Sequence, residues 1–126
     1  MWQVLYTKSI KNKGNFQHFI YIVFIIIKTK QKISLKKDVD YERDKLINDL
    51  LSLGYKPESI VNKTGEMGIR GFVIDVFPIG EDYPIRIEYF GDTIDSIRYF
   101  DESTQLSIKE IDSIKIKPYT EVESND

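Results

Sequence analysis

Between residues 65 and 92, strand-forming runs alternate with glycine and proline so closely that short-turned antiparallel strands are the arrangement they suit best. The run Phe72-Val73-Ile74-Asp75-Val76-Phe77 is apolar on both faces except at Asp75, the pattern of a central strand covered from two sides. A carboxylate in such a strand requires a partner. Pro78 has no N–H for a ladder and ends the run, and Gly80-Glu81-Asp82 makes a solvated turn. From Ile85 to Tyr89 the chain alternates, with Ile85, Ile87 and Tyr89 on one face and Arg86 and Glu88 on the other. Gly91-Asp92 then turns it into a further strand over residues 93–100.

The flanks complete the fold class. Asp38 or Asp40 can cap a helix running to about Leu53, where Gly54 stops it. Within it Leu46, Leu50 and Leu53, with Ile47 and Leu51 beside them, form one apolar stripe for the core. Residues 59–63 are expected as a short strand, residues 106–111 suit either a strand or a helical turn, and residues 114–117 alternate as a last strand ended by Pro118. Residues 19–27 are uniformly apolar and read as a buried strand whose pattern continues through residue 34; the run is short of the about 20 residues a spanning helix needs. The lysines before it imitate the start of a secretory signal, but no small-residue cleavage site follows, so a signal or membrane anchor is the alternative. His18 falls at the edge of that strand. The expectation is an α+β domain, a mostly antiparallel β-sheet with one principal α-helix packed on it, over residues 19–120, between a basic arm (1–18) and an acidic tail (121–126).

Composition removes whole classes of chemistry. With no cysteine and one histidine, disulfides, thiolate zinc sites and histidine-based nucleophile systems are excluded or nearly so, and no cofactor or metal site is expected. Eight of the 18 Lys+Arg lie in residues 1–37, which hold no acid, so all 20 acidic residues fall on the rest of the chain. That acidic body disfavours strong direct nucleic-acid binding and favours a protein partner. No Gly-x-x-x-x-Gly-Lys-Ser/Thr phosphate loop is present, so ATP hydrolysis is not expected and the chain is read as no enzyme.

Several short motifs, weak singly, are specific in their order: Leu53-Gly54-Tyr55, Gly65-Glu66, Arg70-Gly71-Phe72 through Pro78, Pro84 through Asp92, Ile94-Asp95-Ser96-Ile97-Arg98, Phe100-Asp101, Thr104-Gln105, and Pro118 with Glu121. Over residues 32–122 they resemble the UvrB interaction domain shared by transcription-repair coupling factors (Mfd) and the excinuclease component UvrB. Thr104-Gln105 followed by Ser107 leans toward the coupling factors. The resemblance implies a fold like the second domain of UvrB and a cytoplasmic, monomeric adaptor that docks onto the excinuclease component UvrA in nucleotide excision repair. It places Arg70, Arg86 and Glu88 on the docking surface, with Lys56 as a point charge where the family often has an arginine. Gly68 and Leu106 also stand where the family often has basic residues.

Blander fates stay open for the same residues. Arg86 and Glu88 share a strand face and can form a solvated pair, and Arg70 can turn inward to Asp75 or Asp92. Phe72 and Phe77 are expected in the core. A structural or regulatory domain of this fold with a partner outside repair, as in some cell-wall synthases, is the competing function, and nucleic-acid binding by the basic arm is a third.

Overall fold

The helical stripe and the alternating strands meet as their patterns require, in a computed structural model that describes residues 15–30 and 32–119. The basic arm before Asn15 and the acidic tail lie outside the described residues. Two units result, one holding the helix α1 (Asn15–Lys30) and the other a body that starts at Lys32.

Residues 19–27 are helical, which corrects the expected strand. A run apolar on every side has no period to distinguish strand from helix, and no glycine or proline interrupts residues 15–30. In its first half Phe19, Ile20, Ile22 and Val23 are exposed rather than buried. Among the described residues no helix is long and apolar enough to cross a membrane.

In the body, β1 (Ile33–Lys36) pairs antiparallel with the last strand, β8 (Ser113–Ile116). The other strands form one six-stranded sheet in sequence order: β2 (Lys56–Pro57), β3 (Glu66–Arg70), β4 (Val73–Val76), β5 (Ile85–Phe90), β6 (Thr93–Phe100) and β7 (Ser107–Ile111). All its pairings are antiparallel except β2 with β3. The sheet therefore runs as a meander from β3 onward, with tight turns at Gly71 and Gly91 and longer loops at residues 77–84 and 101–106. The expected strand at residues 59–63 is absent; β2 lies earlier, and the segment after it loops over the sheet.

The helix α2 (Arg43–Ser52) begins later than either aspartate could cap it. Asp38 sits in a left-handed turn at φ 68°, and the Asp40 carboxylate accepts a 2.6 Å hydrogen bond from the Thr93 hydroxyl, tying the segment before α2 to β6. Leu46 and Leu50 are fully buried and Leu53 nearly so, whereas Leu51 faces water. These leucines join Met67, Ile74, Val76, Ile85, Ile87 and Ile97 with Ile33, Leu35, Ile114 and Ile116 in the main core. Val61, Phe77 and Phe100 form a second, smaller core.

Tyrosines pin the edges of this body. The Tyr55 hydroxyl donates to the Lys117 carbonyl at 2.8 Å and accepts from the Ile79 N–H at 3.1 Å, and burial pushes its pKa up to about 12. The bond from Tyr99 to Glu81, with burial second, likewise pushes Tyr99 up to about 12, and burial raises Tyr41 and Tyr89 as well. A folded pKa above the unfolded 10.0 means that the neutral phenol stabilises the fold below pH 10. Stability should therefore hold up to that pH and fall as the pH rises through 10 to about 12. Denaturant midpoints across this range, with phenolate absorbance as the monitor, test it; a decline complete below pH 10 would contradict it.

Candidate docking surface

The face of the sheet opposite the main core is built in rows. Strand register sets Gly68, Asp75, Arg86, Arg98 and Glu110 side by side across β3 to β7. The neighbouring row runs Arg70, Val73, Glu88, Ser96. Directly opposite residues in antiparallel strands share a face, so alternation alone gathers these charges.

Asp75 is the centre of the first row. Its Oδ1 accepts from Arg86 Nε at 2.8 Å, and its Oδ2 accepts from Arg86 Nη2 at 2.9 Å and from Arg70 Nη2 at 3.3 Å. Side-chain exposure is 7% for Asp75 and 11% for Arg86 but 57% for Arg70. Arg86 is the largely covered member of a bidentate pair, stacked over the Phe100 ring with its guanidinium carbon 4.2 Å from the centroid. Its hydrogen bonds to Asp75 raise its pKa above the ordinary value against the opposing pull of burial, so it stays charged.

Loops close this face at two places. A Cβ at Gly68 would stand 2.9 Å from the Glu58 carbonyl and 3.3 Å from Val61 Cγ2, so only glycine lets the 58–61 loop lie so close over β3. On the other side Gln105, held at φ 65°, gives Arg86 both its side-chain oxygen at 2.9 Å and its carbonyl at 3.2 Å. That loop is knit by Asp101, whose Oδ1 accepts from the Ser103 hydroxyl and from the Ser103 and Thr104 N–H groups. Those bonds, the Ser103 hydroxyl foremost, hold the Asp101 carboxyl below the usual range.

The expected site residues thus part company. Arg70 does turn toward Asp75, one of the two inward partners considered for it, while most of its side chain stays open to solvent. The reading of Arg86 and Glu88 as a pair with each other is overturned: Arg86 goes to Asp75, and Glu88 forms an ion pair with Arg98, which also donates to the Ser96 hydroxyl. Lys56 is exposed on β2 but registers with Glu66, four residues and about 13 Å along β3 from Arg70. The rows therefore bring Arg70, Arg86 and Glu88 together and leave Lys56 apart.

Two aromatics were missed. Phe72, expected in the core, is 63% exposed, and Phe90 is 80% exposed. The Tyr89 N–H donates to the Phe72 carbonyl at 2.9 Å, so the β3–β4 and β5–β6 turns lie side by side with Arg70 between strand and turn. Arg43 Nε donates to the Gly71 carbonyl at 2.6 Å and ties the start of α2 to the first turn. A Cβ on Gly71 or Gly91 would meet nothing within 4 Å, so both turn tips are open. The signal was in the sequence: each phenylalanine adjoins a hairpin glycine, where the sheet can no longer cover it. Among the described residues no group of three or more His, Cys, Asp or Glu could hold a metal. The surface presents an exposed arginine and two exposed aromatics, residue types enriched at protein interfaces.

Comparison with known proteins gives this surface its setting. The sequence pattern of the UvrB interaction domain matches residues 33–121. The transcription-repair-coupling factor of Staphylococcus aureus strain RF122 is 46% identical over 86 residues, and that of Staphylococcus haemolyticus is 42% identical over the same length. The aligned region covers 68% of this chain and 7% of each relative. The body described above therefore belongs to the UvrB interaction domain family, in the form found in transcription-repair coupling factors.

Proposed function

We propose that this module docks onto the excinuclease component UvrA, and that it does so through the rim carrying Arg70, Phe72 and Phe90. The observation that carries this reading is the exposure of an arginine fork, already held at one nitrogen, beside two exposed aromatic rings. Arginine and aromatic side chains supply most interface energy, and a fork pairs bidentately with carboxylates. Glu88 borders the rim in its pair with Arg98 and would contribute less; Lys56 lies off it and would contribute least. Arg86 would act from beneath rather than by touching the partner. Docking of this kind makes the module the adaptor of a repair factor, working in the cytoplasm where the chromosome lies.

Calorimetric titration of the domain with purified UvrA tests it. Arg70→Ala and Phe72→Ala should each weaken binding by about 1 kcal/mol or more while leaving the melting temperature near that of the parent, and Lys56→Ala should leave affinity within about 0.5 kcal/mol. Absence of binding by the folded parent would remove the partner. Binding indifferent to both rim substitutions would keep the partner and remove the site.

A further inference from the structure

We infer that Asp75 is a positioning residue for docking, acting through Arg70; the inference rests on the docking role proposed for that arginine. The carboxylate is buried, with a side chain 7% exposed, and its neighbours can be named on each side. Across β3 its direct neighbour is Gly68, where the absence of a side chain lets Glu58 and Val61 close over the strand. Arg86 occupies the opposite side on β5, bonding Oδ1 through Nε and Oδ2 through Nη2, and Phe100 lies beneath its guanidinium. The remaining direction leads to Arg70, two residues along β3 from Gly68 and a diagonal neighbour within reach of a long side chain.

Two guanidinium groups share one carboxylate, so the cluster keeps one net positive charge. Arg86 is largely covered and Arg70 exposed, which puts the surplus at the surface on Arg70. Anchoring Nη2 to Asp75 restricts the Arg70 rotamer and leaves its other N–H groups, which meet no acceptor among the described residues, for a ligand. A long side chain ordered before the encounter loses less entropy on binding, and a preset fork matches a carboxylate group. The chemistry presented is a site for an acidic side chain of the partner, and Asp75 sets its geometry without touching that partner.

Two measurements test the inference. The first is a double-mutant cycle by calorimetry with UvrA on the parent, Asp75→Asn, Arg70→Ala and the double variant, each checked for folding. Asp75→Asn keeps an acceptor for Arg86 and should weaken binding roughly threefold to tenfold, the size of the ordering loss of one long side chain, yet change affinity little once Arg70 is alanine. An equal loss in both backgrounds would make Asp75 merely structural and overturn the inference, as would full affinity in Asp75→Asn. The second needs neither partner nor variant: the heteronuclear NOE of the Arg70 Nε–Hε group in the parent. A value close to that of Arg86 supports the anchoring, and a value averaged toward zero overturns it even if Asp75→Asn does not fold. A parent that fails to bind while Arg70 remains ordered would instead locate the failure in the choice of partner and end the docking role of both residues.

Discussion

Asp75→Ala should lower the unfolding free energy by about 3–5 kcal/mol, as expected when a buried ion pair loses one member. The substitution deletes both hydrogen bonds that Arg86 makes to the carboxylate and strands a guanidinium whose side chain is 11% exposed. Gln105 still offers two oxygens, but neither carries a charge to offset the desolvation. Arg70, 57% exposed, returns to water at little cost. Replacing the whole pair should be far milder than breaking it, so Asp75→Leu combined with Arg86→Met should recover most of the loss. Urea unfolding of the three proteins decides the matter. A loss below about 1 kcal/mol for Asp75→Ala would mean that Arg86 finds water when freed and that the pair behaves as a surface bridge.

Gly54→Ala should cost about 3 kcal/mol, from two sources that can be separated. The backbone there has φ 98°, where any side chain is strained by about 1–2 kcal/mol. A Cβ would also stand 2.2 Å from the Tyr119 carbonyl oxygen, and Tyr119 is strapped in place by its N–H, which donates to the Leu53 carbonyl at 2.8 Å. Backbone must move, and overpacking of that kind costs about 1–3 kcal/mol. Gly65, at φ 94°, faces the ring of the same tyrosine, whose nearest atom is 2.7 Å from where a Cβ would stand. The two glycines should therefore respond differently to Tyr119→Ala. Removing the ring should relieve the steric part of Gly65→Ala and leave Gly54→Ala unrelieved, because the carbonyl remains. Equal relief at both sites, read from denaturation midpoints, would show that the strap yields as a unit.

The alternation at 85–89 and the leucine stripe of α2 were legible because each has a period that only one element can satisfy. The run at 19–27 lacks such a period, and its β-branched residues pointed to a strand where a helix forms. That Asp75 needed a partner could be read from its neighbours; that Arg86 was the partner could not. Alternation marks a polar face but does not say that loops from residues 58–61 and 101–106 will cover it and turn a surface arginine into a buried one. Phe72 failed for a related reason. Apolar continuity with residues 73–77 suggested the core, while one step past the Gly71 turn it sits beyond the sheet's cover. Asp38 and Asp40 had the right chemistry for helix caps, but a left-handed turn and the Thr93 hydroxyl claimed them. Local chemistry was readable; which face becomes covered depended on contacts distant in sequence.

The pairing of β1 with β8 governs how such a body fits within a longer polypeptide. Ile33, at the start of β1, lies opposite Ile116, at the end of β8, so the path into the body and the path out of it run as antiparallel neighbours about 5 Å apart. A host chain can pass through at a single doorway, and the module then stands off to one side without prising its flanking segments apart. The rim with Arg70 is carried by turns between inner strands rather than by that doorway. Tethering, and the recognition proposed for that rim, would then fall to separate parts of one small fold.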